Sequence, residues 1–239
     1  MAQSPFHGKQ VGITGARGAL GAALARCFRA AGAHVVGFTH GPPPRGQSDG
    51  PHRWVRWSCG NEASLDADLA EIDVLILNHG INPQGDQRPD VINQTLEINT
   101  LSSWRLMQRF EAISRASPQG CPREIWINTS EAEIQPAVSP VYELTKRMLG
   151  QLVSIRGAVL DVSGREALIL RKLVLGPFRS SLNPIGVMNA EFVATQVMRQ
   201  ASWGFRLVIV TPNPLTYVLM PMSELGRRVY SRILSRPDP

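Results

Sequence analysis

Residues 11–32 read VGITGARGALGAALARCFRAAG and decide the fold: an apolar segment enters a turn with three glycines, and an alanine-rich segment follows. Gly15, Gly18 and Gly21 mark that turn. Glycine there permits a tight turn, and the N-terminus of the following helix offers unpaired N–H groups to a pyrophosphate. A plain strand-to-helix turn is the alternative interpretation. The position of the turn, after the first strand of an α/β pattern, favours a dinucleotide site.

The rest of the chain alternates short apolar segments with longer helical ones, which predicts strands and crossover helices of a parallel sheet. We predict one domain over residues 1–239, an α/β Rossmann-type doubly wound sheet of about seven mostly parallel strands with helices on both faces. The predicted strands are 10–14, 34–39, 53–57, 73–78, 124–129, 167–175 and 206–211. The predicted helices are 18–31, 91–116, 139–161, 188–203 and 222–234. The segment 40–53 is too rich in proline and glycine for a helix and is predicted to be an exposed loop.

Charge and cysteine content argue against several other classes of protein. Lys and Arg number 25 against 19 Asp and Glu, a formal charge of +6, but they form no long basic run and do not alternate with aromatics, so no nucleic acid is expected as a partner. Cys27, Cys59 and Cys121 are too widely spaced for a disulfide framework, and no metal site is expected. The N-terminus shows no signal sequence and no apolar run reaches the roughly 20 residues of a spanning helix, so we expect a cytoplasmic protein.

The end of the second predicted strand indicates which dinucleotide is bound. NAD-selective sites usually place an acid there to bind the ribose 2′-hydroxyl, whereas a 2′-phosphate requires cations. Here the strand ends with Thr39 and His40, while Arg17 lies inside the glycine turn and Arg45 in the following loop. The sequence therefore predicts NADP(H) in preference to NAD(H).

Four further short motifs follow the glycine turn, TGARGALG at 14–21: NHG at 78–80, Asn99 within LEINT, NTS at 128–130 and YELTK at 142–146. In this order and at this spacing the five motifs resemble those of the short-chain dehydrogenase/reductase family, over most of the chain. The resemblance implies a single Rossmann-type domain, nicotinamide-dependent hydride transfer, and homodimers or homotetramers formed through the two long central helices.

The resemblance also implies the catalytic residues. Tyr142 would donate and accept the proton at the substrate oxygen, and Lys146, one helical turn later, would hold the nicotinamide ribose and lower the pKa of the tyrosine. The lysine is needed because a free tyrosine has a pKa of about 10 and is a poor base at neutral pH. Ser130, or alternatively Thr129, would hydrogen-bond the substrate oxygen. Asn99 would hold a water that links Lys146 to solvent.

The implied cofactor contacts come from the glycine turn, the ends of the second, third, fourth and sixth strands, and the catalytic pair. They are Gly15, Arg17, Gly18, Ala19, Leu20, Gly21, Thr39, His40, Ser58, Cys59, Asn78, His79, Gly80, Tyr142, Lys146, Gly176 and Pro177. For Asn78 a structural role is an equal alternative, and for His79 packing is the favoured one. Gly176 and Pro177 stand in the reverse of the family's Pro-Gly order.

The leading hypothesis is an NADP(H)-dependent oxidoreductase that interconverts a carbonyl and an alcohol. Apolar residues within 178–192 and 213–230 suit a lipophilic substrate. One alternative is a non-catalytic NADP(H)-binding regulator of the same fold. Another is an epimerase or dehydratase of the extended branch, whose G-x-x-G-x-x-G glycine spacing this chain shares. For the C-terminal helix, packing or an oligomer contact is favoured over contact with an anionic membrane surface.

Overall fold

The computed structural model describes residues 3–43, 49–116, 122–163 and 168–234. Within these ranges the chain forms one sheet of seven parallel strands in the order β3-β2-β1-β4-β5-β6-β7. The strands are β1 Gln10–Thr14, β2 His34–Thr39, β3 Arg53–Arg56, β4 Val74–Leu77, β5 Arg123–Asn128, β6 Leu168–Leu175 and β7 Leu207–Val210. This confirms the predicted Rossmann-type fold class.

Helices cover both faces of the sheet. They are α1 Ala19–Ala30, α2 Asp66–Ala70, α3 Pro89–Leu96, α4 Ser102–Ala116, α5 Pro140–Ser163, α6 Ala190–Ser202 and α7 Thr216–Leu234. Alternate strand residues point to opposite faces, as the pleat requires. In β4, Val74 and Ile76 join the core cluster with α1 and α6, whereas Leu75 and Leu77 join the cluster with α4 and α5. The strands therefore read as continuous apolar runs, because both of their faces are buried.

The order reversal between β1 and β4 positions the site. β1 pairs with β2 on one side and with β4 on the other. The loops after these two strands therefore diverge at the carboxyl edge of the sheet and leave a crevice between them, where doubly wound proteins bind their ligands.

Three local predictions need correction. The predicted helix 91–116 is divided by a π-helical turn, Glu97–Leu101, between α3 and α4. α7 begins at Thr216 rather than at 222, because the Asn213 side chain accepts a hydrogen bond from Leu215 N and starts the turn. Pro221 is tolerated there, since it removes only a hydrogen bond to the first turn.

The third correction concerns the predicted exposed loop 40–53. Its residues 44–48, including Arg45, lie outside the described ranges. The end of the loop is not exposed: Gly50 and Pro51 are buried. A methyl group on Gly37 of β2 would overlap the Pro51 ring, so glycine at that position lets the loop pack on the sheet. No helix in the described ranges is long and apolar enough to cross a membrane.

Candidate functional site

The turn between β1 and α1 forms a cradle of main-chain atoms. Gly15 adopts φ +63°, and a Cβ there would lie 3.0 Å from the carbonyl oxygen of Asn78. A Cβ on Gly21 would overlap the carbonyl oxygen of Gly15. Gly18 is the N-cap of α1, and among the described residues no side chain caps this helix end. The cradle fits a pyrophosphate, because glycine keeps the backbone accessible and the helix N-terminus carries partial positive charge.

The end of β2 lies beside this cradle and carries no acid. Arg17 reaches across from the glycine turn, so that a Cβ on Gly41 would collide with its guanidinium. His40 places Nδ1 3.1 Å from Trp57 O, and its Nε2 lies 3.8 Å from Cys59 Sγ. The structure therefore brings together the cofactor candidates from the glycine turn, the end of β2 and the end of β3. Exposed Ser58 is next to them in the chain.

The residues that follow β4 have structural partners. Asn78 Oδ1 accepts a hydrogen bond of 2.8 Å from Asn128 Nδ2, which ties the ends of β4 and β5 together. His79 is buried, and its Nδ1 lies 2.9 Å from Thr14 Oγ1. Burial lowers the pKa of His79 to about 3, so its ring is neutral at physiological pH. These contacts support the structural alternative for Asn78 and the packing alternative for His79.

The predicted catalytic pair lies on the first turns of α5, at the carboxyl end of β5. Lys146 is buried, and its Nζ donates to the carbonyl oxygen of Asn128 at 3.0 Å and lies 5.8 Å from the centre of the Tyr142 ring. The Ser130 side chain lies next to Tyr142 and acts to lower the pKa of its phenol, while Ser130 Oγ accepts a hydrogen bond of 3.2 Å from Ala132 N. Thr129 instead directs its hydroxyl to Leu173 O at 3.1 Å. Of the two candidates for the serine role, Ser130 is the one in contact with Tyr142.

Asn99 sits in the π-helical turn and is fully buried. Its Oδ1 accepts from Ile81 N at 2.8 Å, while its Nδ2 donates to Ile81 O at 2.9 Å and lies 3.1 Å from Thr145 Oγ1. The extra residue of a π turn redirects one side chain, and such turns are frequent at functional sites. Asn99 thereby joins the loop after β4 to α5, next to Lys146. Gly80 is close to it as well, since a Cβ there would lie 3.1 Å from Asn99 Oδ1.

The segment after β6 folds over the same edge. Pro177 O accepts a hydrogen bond of 3.0 Å from Val187 N, which turns residues 177–188 back on themselves. Leu182 O accepts one of 3.2 Å from Asn82 Nδ2 in the loop after β4. Gly176 and Pro177 therefore begin a segment that reaches the loop after β4, and their contact with the cofactor stays a prediction.

Burial changes the pKa values of both Tyr142 and Lys146. It raises the pKa of Tyr142, an effect that the hydrogen bond from Ser130 opposes. It also lowers the pKa of Lys146 to about 8, against a weaker attraction from Glu133. Among the described residues no carboxylate forms a salt bridge with Lys146. The protein alone thus holds the phenol neutral, and a further positive charge at the site would be needed to favour the phenolate.

Sequence reasoning missed a polar cluster beside Ser130. Thr211, after β7, donates its hydroxyl hydrogen bond to the Glu131 carboxylate. Asn213 Nδ2 donates to Gln135 Oε1 at 2.6 Å. These contacts join residues about 80 positions apart in the chain, and no motif signals them. They gather hydroxyl, amide and carboxylate groups beside the segment that follows Ser130.

Glu133 ends the 3₁₀ turn Glu131–Glu133 and is directed to Lys172 of β6 instead of Thr211. It is buried and pairs with Lys172 at 2.6 Å, and Lys172 also binds Glu224 of α7 at 2.9 Å. The two acids that follow Ser130 therefore differ: Glu131 binds Thr211 after β7, and Glu133 fixes α7 to the sheet through Lys172.

The desolvated Lys146 ammonium gives a testable pH dependence of stability. Its folded pKa of about 8 lies below the ordinary 10.5, so between these values the unfolded chain binds a proton that the folded protein lacks. The unfolding free energy of the cofactor-free wild type should therefore rise relative to Lys146→Met from pH 8 to 10, by up to about 1.4 kcal/mol per pH unit. Urea unfolding at fixed pH values measures this difference.

Arg147→Met is the matched control, because it removes an adjacent cation that is partly exposed and paired with Glu143. Its stability difference from wild type should stay flat between pH 8 and 10. An equally flat difference for Lys146→Met would mean that the ammonium is solvated rather than buried.

Comparisons with known proteins agree with this geometry. The model of the NAD dependent epimerase/dehydratase family matches residues 11–152. A protein of Synechocystis sp. described as a monoglucosyldiacylglycerol epimerase is 39% identical over 235 residues, which cover 97% of this chain and 56% of that protein.

Solved structures show the same fold. A short chain dehydrogenase from Burkholderia cenocepacia J2315 in complex with NADP superposes with a TM-score of 0.75 at 15% identity, covering 97% of this chain and 99% of its own. The bulky-bulky ketone specific alcohol dehydrogenase from Comamonas testosteroni gives 0.74 at 17% identity, covering 97% of each chain. The resemblance that the motifs predict is confirmed: the chain belongs to the NAD dependent epimerase/dehydratase family, a branch of the short-chain dehydrogenases/reductases.

Proposed function

We propose that this protein is an NADP(H)-dependent epimerase that inverts one secondary-alcohol carbon in the sugar of a glycosylated lipid. The observation that carries the proposal is the grouping of Tyr142 with Ser130 and with Lys146, whose Nζ lies 5.8 Å from the centre of the Tyr142 ring, at the same edge of the sheet as the glycine cradle. The substrate class is suggested by the 39% identical relative, whose name specifies monoglucosyldiacylglycerol. The chain spans 56% of the length of that relative, so the substrate is inferred for the part they share.

The side chains divide the proton chemistry among them. Ser130 donates a hydrogen bond to the substrate oxygen, and Tyr142 takes the proton of the alcohol as the carbon–hydrogen bond breaks. A nicotinamide held by the glycine cradle and Lys146 would supply the hydride acceptor that makes this oxidation and its reversal on the opposite face of the carbon possible. Tyr142 then gives the proton back to the oxygen. The product is the epimeric alcohol, and no cofactor is consumed.

The polar cluster beside Ser130 supports a sugar as the substrate. Glu131, Gln135, Thr211 and Asn213 offer carboxylate, amide and hydroxyl groups, which match the many hydroxyls of a hexose. Carboxylate and amide groups can form more hydrogen bonds than these contacts use, and sugar hydroxyls can fill that capacity whereas a purely hydrocarbon ketone cannot. The glycine spacing shared with the extended branch points in the same direction.

A net carbonyl–alcohol oxidoreductase is the second candidate, since it uses the same three side chains. Leu182, Ile185 and Val187 favour it, because these exposed apolar residues on the loop after β6 suit a lipophilic ketone. The two candidates differ in one observable: an oxidoreductase changes the oxidation state of the nicotinamide in each turnover, and an epimerase does not.

Arg17 supports the preference for NADP(H). Its guanidinium lies against Gly41, just after Thr39 and His40, where the 2′-substituent of the adenine ribose is bound in this fold. An arginine matches a phosphate in charge and in hydrogen-bond geometry. A neutral ribose hydroxyl gains much less from it.

Arg17→Ala should weaken NADP(H) binding roughly 10- to 100-fold, since a hydrogen bond to a charged group contributes about 1.5–3 kcal/mol. NAD(H) binding should change by less than about threefold. Fluorescence titration of both reduced nucleotides measures the two affinities. Arg199→Ala also removes one positive charge, but on α6 and away from the crevice, so both nucleotide affinities should stay unchanged. Equal losses for both nucleotides in Arg17→Ala, or tighter NAD(H) binding by the wild type, would contradict the assignment.

Tyr142→Phe tests the proposed chemistry. In detergent micelles of monoglucosyldiacylglycerol with NADP⁺, the wild type should form the epimeric glycolipid without accumulating NADPH. Tyr142→Phe should slow this by about 10²- to 10⁴-fold, the usual contribution of a general acid–base group, while NADP(H) binding persists. Chromatography of the released sugars and absorbance of the reduced nicotinamide measure the two quantities. Tyr230→Phe, on the exposed side of α7, is the matched control.

Stoichiometric NADPH with a ketone product would favour the oxidoreductase instead. Both candidates would be overturned if the glycolipid gave neither product and if none of a panel of ketones led to NADPH oxidation.

A further inference from the structure

α7 carries apolar side chains on the face that points away from the core. Thr216 and Met220 are buried, and Glu224 points inward to Lys172. Positions on the opposite face recur at i, i+4, i+7, i+11 and i+15, and each is between 48% and 72% exposed. We call these residues the outer stripe: Val218, Met222, Leu225, Val229 and Ile233.

An apolar stripe of this length needs a partner. Single exposed apolar residues are normal, but five in register form a continuous strip about 22 Å long at the helical rise of 1.5 Å per residue. Contiguous exposed apolar patches mark interaction sites in soluble domains. The stripe therefore indicates a surface that is covered when the protein works.

The charges of α7 favour a negatively charged partner. Glu224 is the one acid in the sequence of α7, and it is already paired with Lys172 on the inner side. Arg227, which donates to Gln151 of α5, and Arg228 lie on the same helix, and the chain carries a formal charge of +6. Two copies that met through the outer stripe would bring two basic helices together, whereas an anionic surface would attract each of them.

The outer stripe begins at the edge of the candidate site. Thr216 Oγ1 accepts a hydrogen bond of 2.8 Å from Gln135 Nε2, so the first turn of α7 lies beside the polar cluster that follows Ser130. Exposed apolar residues surround the same edge: Val138, Leu144, Ile185, Val187 and Leu215. A flat apolar surface against α7 would thus also meet the rim of the crevice.

We propose that the outer stripe and this rim dock on the surface of an anionic lipid bilayer, with α7 lying in the interface plane. Amphipathic helices with apolar and basic residues bind in this way, with the apolar face sunk among the acyl chains. Docking would present the headgroup of a membrane lipid to the crevice. That consequence rests on the proposed glycolipid substrate, but the docking surface itself does not.

A second copy of this chain is expected to bind at a surface other than the outer stripe. The family resemblance places oligomer contacts on the long central helices, here α4 and α5, and this stays a prediction. Two arginines of α4 form ion pairs with acids at or shortly before the start of α2: Arg109 pairs with Asp66, and Arg105 pairs with Glu62. The outer stripe of α7 is a separate surface.

Vesicle flotation tests the proposal without substrate or cofactor. The wild type should float with phosphatidylcholine vesicles that contain roughly one third phosphatidylglycerol, and less with pure phosphatidylcholine or in high salt. Met222→Glu/Val229→Glu should lower the floated fraction at least tenfold. Phe192→Glu/Trp203→Glu, which charges two exposed apolar residues at α6, is the matched control and should float like the wild type.

Circular dichroism and NADP(H) titration of both variants check that the fold is retained, and Met222→Ser/Val229→Ser provides a milder change if the acidic pair unfolds. Failure of the wild type to float with anionic vesicles would overturn the proposal. So would a wild-type dimer in analytical ultracentrifugation that Met222→Glu/Val229→Glu converts to a monomer, since the stripe would then join two copies. Neither outcome bears on epimerase activity, which is measured in detergent micelles.

Discussion

The site depends on one costly interaction, the burial of the Lys146 ammonium against a main-chain carbonyl. An unpaired charge in the interior is unfavourable, and here the nearest partner is the carbonyl oxygen of Asn128 at 3.0 Å. The surrounding frame holds that carbonyl in place. Asn128 is tied to Asn78 across the ends of β4 and β5, and Asn99 joins the loop after β4 to α5. The lysine is thus kept where a bound nicotinamide ribose could pair with it.

The same arrangement explains why the protein would use a cofactor as part of its acid–base chemistry. Burial holds Tyr142 in its neutral form, so the phenol alone is a poor base. An oxidised nicotinamide in the proposed site would add positive charge beside it, and Lys146 places a cation 5.8 Å from the centre of the ring. In the proposed mechanism, proton uptake at Tyr142 would thereby be coupled to the presence of the oxidised cofactor, which suits a cycle that returns the hydride to its substrate.

Much of this could be predicted from the sequence, because its signals are local. Glycines at 15, 18 and 21 specify the cradle, and the four-residue spacing of Tyr142 and Lys146 places them on one helix face. The π turn at Asn99 was not predictable, since it depends on contacts with Ile81 and Thr145 rather than on propensity. The Glu131–Thr211 and Asn213–Gln135 contacts depend on the pairing of strands that are distant in the sequence. The start of α7 depends on the Asn213 side chain alone.

The ionisation of Tyr142 tests the central claim most directly. The chain has three tyrosines, so an ultraviolet titration near 295 nm can follow one of them by comparing wild type with Tyr142→Phe. Saturating NADP⁺ should lower the pKa of one tyrosine, and this change should be absent in Tyr142→Phe and smaller in Lys146→Met. A tyrosine titration that NADP⁺ leaves unchanged, although the nucleotide binds, would show that Tyr142 and Lys146 do not face the cofactor.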